Sequence, residues 1–290
     1  MAHVALPRES DAGTGVAALH EFARRHRRLF VLGGAGVSTD SGIPDYRDAK
    51  GAWKSGAPIL NDEFRRSAAV RRRYWARSMH GWPRIAAARP NPAHRALARL
   101  EQLSRVEILV TQNVDGLHLR AGSRRVIELH GALGHVDCID CGASHTRDGV
   151  QCALENDNPR FAALAGATAP DGDVDLGAAD LDRFRVPSCT QCGGMLKPAV
   201  VFFGENVPRA RVLEGFEALH RADAMLVVGS SLMVYSGFRF CERAAQLQRP
   251  IAAINLGRTR ADALFAVKVE ASCATALTSL VDVLERDGHE

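Results

Sequence analysis

The chain has 290 residues, 46% of them hydrophobic and 24% charged, with a net charge of +4. That composition is ordinary for a globular protein with room for a sizeable core, in one large domain or two unequal ones. No apolar run is long enough to span a bilayer, and no Lys/Arg-rich block alternates with aromatics, so neither a membrane nor a nucleic acid is an expected partner.

The opening MAHVALPRESDAGTG lacks an apolar signal core and carries early acids, which predicts a cytoplasmic protein. The clusters Arg24-Arg25-His26-Arg27-Arg28 and Arg71-Arg72-Arg73 read as solvated helix faces. Residues 15–26 have helical spacing, and RRLFVLGGAG then reads as a strand ending in a tight turn. Asn91-Pro92 marks a helix start, with asparagine as the cap and proline at the first helical position. VEILVTQN (106–113) and VIELHG (126–131) read as strands. A polar insert spans 132–198, with AGATAPDGDVDLGAAD as a loop at its middle. AVVFFGE, AMLVVGSS, IAAINLG and AVKVEA then read as strands, while 208–221, 236–247 and ATALTSLVDVLERDG read as helices. Continuous apolar strands alternating with amphipathic helices predict an α/β fold whose parallel sheet is covered on both faces. The expected organisation is a Rossmann-like domain (1–131 and 199–290) with a smaller zinc-binding module (132–198) inserted.

Gly33, Gly34 and Gly36 follow the first strand, where a dinucleotide pyrophosphate sits in such sheets. The fingerprint G-x-G-x-x-G is incomplete, because Thr39 stands where the last glycine belongs. The turn alone therefore fits a nucleotide site and a plain tight turn equally. Hydroxyls at Ser38, Thr39 and Ser41, and the group Asp45-Tyr46-Arg47, are more than a structural turn needs. Three later strand ends are also polar: Gln112, Asn113 and Asp115; Gly229, Ser230 and Ser231; Asn255 and Gly257. Together on one sheet edge they favour a nucleotide cleft.

Cys138-x2-Cys141 and Cys189-x2-Cys192 sit in glycine-relieved knuckles, a pattern for one structural zinc. Four thiolates close the coordination sphere, so such a metal staples and does not catalyse. Cys152 and Cys241 read as small apolar residues, and Cys273 could line the cleft. Asp171-x-Asp173-x-Asp175 lacks the glycine and glutamate of a calcium loop, having Leu176 and Asp182 there. Among the histidines, His20, His94 and His220 read as surface or packing residues on helices. His118 reads as a group behind the site, and His135 and His145 as flanking the first knuckle. His130 ends a strand just before the metal module, where a base titrating near neutrality would meet the cleft.

Taken together, GAGVSTDSGIPDYRD (34–48), TQNVDGLH (111–118), ELHG (128–131), the two Cys pairs, KPAVVFFGE (197–205), VVGSSLMVYS (227–236) and INLG (254–257) resemble the sirtuin family. The Pro44-to-Arg47 segment, RRYWARSMHGWP (72–83), NPAH (91–94) and APDGDV (169–174) resemble its class II branch, which includes a mitochondrial lipoamidase and ADP-ribosyltransferase. The resemblance implies NAD as cosubstrate and an acyl-lysine protein or peptide as the other substrate of a deacylase, and a monomer is expected. It implies that Gly34, Ala35, Gly36, Ser38, Asp45, Tyr46 and Arg47 line the dinucleotide, and that Gln112, Asn113 and Asp115 hold the nicotinamide end. Gly229, Ser230, Ser231, Asn255, Leu256, Gly257 and Cys273 would surround the adenosine half. Val201, Phe202, Phe203, Gly204 and Val234 would meet the substrate peptide. His130, with Asn113 and Asp115, would be catalytic, His130 taking a proton from a ribose hydroxyl. The products would be nicotinamide, free lysine and O-acyl-ADP-ribose; mono-ADP-ribosyl transfer or lipoamide cleavage in the same cleft is the alternative. Branches that remove succinyl carry a tyrosine and an arginine for the acyl carboxylate. Here Ala52 and Ser55 are expected at those places, with Lys50 and Lys54 nearby, and desuccinylation is not expected.

Overall fold

The computed structural model describes residues 11–45, 58–161, 167–168, 174–175 and 181–288. In chain order the elements are α1 (Asp11–Arg25), β1 (Leu29–Gly33), α2 (Asn61–Arg66), α3 (Ala68–Ala87), α4 (Pro92–Gln102), β2 (Val106–Thr111), α5 (Leu117–Arg120) and β3 (Val126–Glu128). The insert holds β4 (Gly131–Cys138), β5 (Ser144–Thr146), α6 (Arg147–Asp157), β6 (Ala167–Thr168), β7 (Val174–Asp175) and β8 (Leu196–Val200). The chain ends with α7 (Arg209–Arg221), β9 (Ala224–Val228), α8 (Tyr235–Gln246), β10 (Ile251–Ile254), β11 (Val267–Val269) and α9 (Cys273–Asp287).

Six strands form one parallel sheet in the order β11-β10-β9-β1-β2-β3. Alternation along β1 shows why its sequence is apolar throughout. Leu29 and Val31 enter a core with α1, α4 and α9, whereas Phe30 and Leu32 enter a second core with α7 and α8. A strand buried on both faces has no solvent side to keep polar. The chain builds outward from β1 to β3 on one side and then from β9 to β11 on the other. That reversal opens a crevice at the carboxyl ends of β1 and β9, where ligands bind in open sheets of this kind. No helix among the described residues is long and apolar enough to cross a membrane.

The smaller unit is a three-stranded sheet, β5-β4-β8, whose core takes Val136, Val150, Leu154, Phe184 and Leu196 together with Phe64, Tyr74, Trp75 and Met79 of α2 and α3. Helix α6 docks on α3 through a defined chemical gap. Pro83 lies inside α3 and has no N–H to give the Met79 carbonyl. The Gln151 side-chain amide donates to that carbonyl at 2.7 Å, and Arg147 donates to the Ser78 carbonyl at 3.0 Å.

The structure differs from the sequence reading at several joints. The strand expected over 126–131 stops at Glu128, because the chain turns through Gly131 (φ +82°) into β4. The strand expected over 199–205 stops at Val200, and the chain turns again at Gly204 (φ +79°). Of the insert's middle, Ala167–Thr168 and Val174–Asp175 pair as two short antiparallel strands rather than loop. Cys152 is exposed on α6 instead of packing as an apolar residue, while Cys241 is buried.

Candidate active site

The glycine turn after β1 is shaped by its neighbour. A Cβ on Gly34 would lie 2.6 Å from Ser230 Cβ, and one on Gly36 would lie 3.0 Å from Gly229 Cα. Gly229 itself has φ +58° and would meet Val37 N at 2.6 Å. The β1 and β9 loops thus press backbone to backbone, and hydrogen bonds from Gly34 N to Val228 O and from Gly36 N to Gly229 O join them. Most amides of this turn are already used. Val37 and Ser38 donate within the turn, so of 34–38 only the Ala35 N–H has no partner among the described residues. Asn91 fixes the turn from the other side. Its carboxamide oxygen caps α4, while its Nδ2 donates to Val37 O (2.7 Å) and Ser41 Oγ (3.0 Å). Gly34→Ala is expected to force the two loops apart, costing about 1–3 kcal/mol in urea unfolding and weakening nucleotide binding in calorimetry.

Beneath the turn lies a buried polar floor. Ser38 donates to Asp115 Oδ2 at 2.7 Å and accepts from Asn113 Nδ2 at 3.0 Å. His94 Nδ1 accepts from Asn91 N, so its Nε2 carries the hydrogen and faces Ser38 Oγ at 3.4 Å. Of the surface or packing roles its helical position suggested, His94 takes the packing one: it is fully buried and part of the floor. His118 packs against it with the rings tilted, 4.8 Å between centroids. Burial holds both imidazoles neutral, at about 4 for His94 and about 3 for His118. Burial raises Asp115, opposed by the Leu117 N–H and the Ser38 hydroxyl.

His130 sits in the turn between β3 and β4. Its Nδ1 is 2.9 Å from Gln112 O and its Nε2 is 2.7 Å from Ser236 Oγ. A carbonyl only accepts, so Nδ1 carries the hydrogen and Nε2 is the basic nitrogen. Burial pushes its pKa below the ordinary value; the Gln112 bond opposes this, and Arg211 and Arg239 add to the lowering. His130 O also accepts from Val201 N at 2.8 Å, which ties the imidazole to the 201–205 turn. That turn is braced by Lys197, whose Nζ reaches Val200 O (2.6 Å) and Glu205 (2.9 Å) while Glu205 accepts from Phe202 N.

A cavity of about 540 Å³ runs from the glycine turn to this second turn. Gly34, Ala35, Gly36, Asp45, Gln112, Asn113 and His130 line it, as do Gly229, Ser230, Ser231, Asn255, Leu256 and Cys273. Val201, Phe202, Phe203, Gly204 and Val234 form its other end. Ser38, Asp115 and Gly257 are not on the lining; Ser38 and Asp115 lie behind Asn113 in the floor. Tyr46 and Arg47, and also Lys50, Ala52, Lys54 and Ser55, fall outside the described residues, as do Asp171 and Asp173. Sequence reading missed Ser236 and Arg239 of α8 and the pair Tyr74 and Arg77, all on the lining. Tyr74 and Arg77 stand one turn apart on α3, a Tyr-x-x-Arg spacing that a helical reading of 68–87 would have flagged.

The four knuckle cysteines come together, all sulfurs lying within 4.8 Å of one another. Cys138 and Cys192 are 3.5 Å apart and Cys141 and Cys189 3.8 Å. Four ligands on a tetrahedral zinc would stand about 3.8 Å apart, given Zn–S bonds of about 2.3 Å. The cysteines are thus positioned to hold one structural zinc. Gly142 (φ +76°) and Gly193 (φ +73°) close the two knuckles, and N–H groups of Gln191 and Gly194 point at Cys189 and Cys192 sulfur. His145 Nε2 lies 3.4 Å from Cys189 Sγ, outside the ligand set.

Comparison with known proteins agrees with this geometry. The Sir2 family profile matches residues 34–236, the span from the glycine turn to Ser236. An NAD-dependent protein deacetylase of Xanthomonas campestris is 59% identical over 263 residues, covering 91% of this chain and 90% of the relative. The NAD-dependent protein lipoamidase sirtuin-4 of Bos taurus is 47% identical, covering 91% and 84%. A solved Sir2 complex with a p53 peptide and NAD+ superposes with a TM-score of 0.73 at 30% identity, covering 94% of this chain and 98% of that one. On the profile match over 34–236 and the 59% identity over nine-tenths of both chains, the chain belongs to the Sir2 family.

Proposed function

We propose that this protein is an NAD-dependent protein-lysine deacylase working as a cytoplasmic monomer on acyl-lysine segments, with neither nucleic acid nor membrane involved. The observation that carries this reading is His130: an imidazole of fixed tautomer on the lining of a cavity whose other walls include a glycine turn and the 201–204 segment. In the Rossmann-like part (1–131 and 199–290), Ala35, Gly36, Ser230 and Asn255 suit a dinucleotide, and the 132–198 module with its zinc steadies the wall that carries the 201–205 turn. NAD supplies the electrophilic sugar carbon and leaves as nicotinamide and an acyl ADP-ribose. The chain's own residues bind and orient. Asn113, backed by Ser38 and Asp115, fixes the nicotinamide end, Val201 to Gly204 pair with peptide backbone as an added strand, and His130 Nε2 receives the hydroxyl proton.

A second reading is lipoamide cleavage in the same cleft, supported by the 47% identity with the bovine lipoamidase sirtuin-4; mono-ADP-ribosyl transfer there is the other alternative. Incubation with acetyl-, lipoyl-, long-chain and succinyl-lysine peptides, with and without NAD, tests both. NAD-dependent loss of the acyl mass with equal nicotinamide release supports deacylation, and the preferred chain names the branch. The succinyl arm tests whether Tyr74 and Arg77 take a carboxylate. ADP-ribose on protein with every peptide unchanged would sink the deacylase reading.

The base must be neutral to act. Since burial lowers the His130 pKa, the acid limb of kcat/KM is expected below pH 6.5, with activity lost as pH falls through that limb. A limb above pH 7 would contradict the environment described.

A further inference from the structure

His130 is held from both sides, and the second contact has a chemical consequence. With Nδ1 donating to Gln112 O, the only lone pair through which the ring can gain a proton is on Nε2. Ser236 Oγ lies 2.7 Å from that nitrogen, so its hydroxyl must donate to it. Ser236 is buried, yet it lines the same cavity as His130. It cannot easily withdraw. The next residue, Gly237, presses its backbone on Gln112, where a Cβ would stand 2.4 Å from Oε1. Gln112 is anchored in turn, its Nε2 donating to Ser230 Oγ at 2.9 Å and Gly33 O at 3.3 Å. The residue that holds one side of the imidazole is thus the one that positions the helix carrying the other contact. Gln112, His130 and Ser236 form one fixed line.

We propose that Ser236 is the proton relay of the His130 base. This rests on the deacylase reading given above. The substrate hydroxyl donates to Ser236 Oγ, which keeps lone pairs for it while its own hydrogen is engaged with Nε2. In the transfer the substrate O–H bond breaks and its proton bonds to Oγ. The old Oγ–H bond breaks in concert and that proton joins Nε2. The electron pair left on the substrate oxygen forms a bond to the acyl carbon, and the π pair that carbon shared with the lysine nitrogen moves onto that nitrogen. Serine ends neutral, the imidazole ends as imidazolium, and no oxidant or further reactant is needed.

Ser236→Ala, Ser236→Thr and His130→Ala separate the possibilities. In S236A, deacylation is expected to slow about ten- to hundredfold, as for a weakened general-base step. Plotted against the fraction of D2O, the wild-type rate should bow, because two protons move together. S236A should give a straight line, and S236T should restore both the rate and the bow. In nucleotide-free protein, the His130 Nε2 nitrogen resonance should move in S236A toward that of a bare imidazole nitrogen and return in S236T. An S236A enzyme as fast as wild type with the same bowed plot would overturn the proposal, and so would a faster one, which would make the serine a mere cap. A straight line already in the wild type would do the same. If H130A retains full turnover, the base reading fails with the relay; if H130A is inactive and S236A is normal, only the relay fails.

Discussion

His130→Ala is expected to reduce deacylation about 10²- to 10⁴-fold, the range a positioned general base supplies, while leaving the zinc content of the protein unchanged. The imidazole touches Gln112 O and Ser236 Oγ and no cysteine sulfur. Gln112 and Ser236 both line the cavity, so the fold is expected to survive the loss of their bonds to the ring. Peptide turnover, metal analysis and a thermal melt on one preparation check this. Loss of zinc in the variant would show that the histidine belongs to the metal site, and full activity would remove it from the chemistry.

The second large effect is on stability. Chelation of the metal, or Cys189→Ser, is expected to unfold at least the small module and to abolish activity with it. Structural zinc sites hold apparent binding energies of about 10–16 kcal/mol, comparable with the whole stability of a typical domain, about 5–15 kcal/mol. Cys138 and Cys189 are buried within the same core as Val136, Leu196 and Tyr74. β8 runs from the second knuckle straight to the 201–205 turn, whose Val201 N–H holds the His130 carbonyl. Losing the staple is therefore expected to loosen the turn that holds His130. A thermal melt with chelator, and again after zinc is returned, reads the effect; a melting temperature that chelator leaves in place would show that the cluster carries no structural metal.

How much of this was legible beforehand follows from which forces leave a local mark. The parallel sheet was visible because strands such as LFVLG and AMLVV are buried on both faces and must be apolar throughout. The cysteine cluster was visible because tetrahedral thiolate ligation demands two tight knuckles. Long-range contacts leave no such mark. His94 looked like an ordinary helical residue, and only the folding of α4 onto the glycine turn shows it beside Ser38. The glycines themselves were read as room for a phosphate, whereas Gly34 and Gly36 are needed first because the β9 loop lies against them. In α3 only the basic run Arg71-Arg72-Arg73 was read as part of a helix; its buried face, Tyr74, Trp75 and Met79, packs on Val136, Val150 and Leu196, which are distant in sequence. Ser236 escaped because a serine in the first turn of a helix is commonplace, and its contact with His130 spans 106 residues.

The central claim is that one cleft moves an acyl group from lysine to the sugar of NAD. Its most direct test is to follow a single acetyl-lysine peptide with NAD and weigh where the acetyl group goes. Free lysine peptide, nicotinamide and acetyl-ADP-ribose are expected in equal amounts, with all three lost in His130→Ala. Free acetate formed without NAD consumption, or ADP-ribose attached to protein while the peptide keeps its acetyl group, would contradict it.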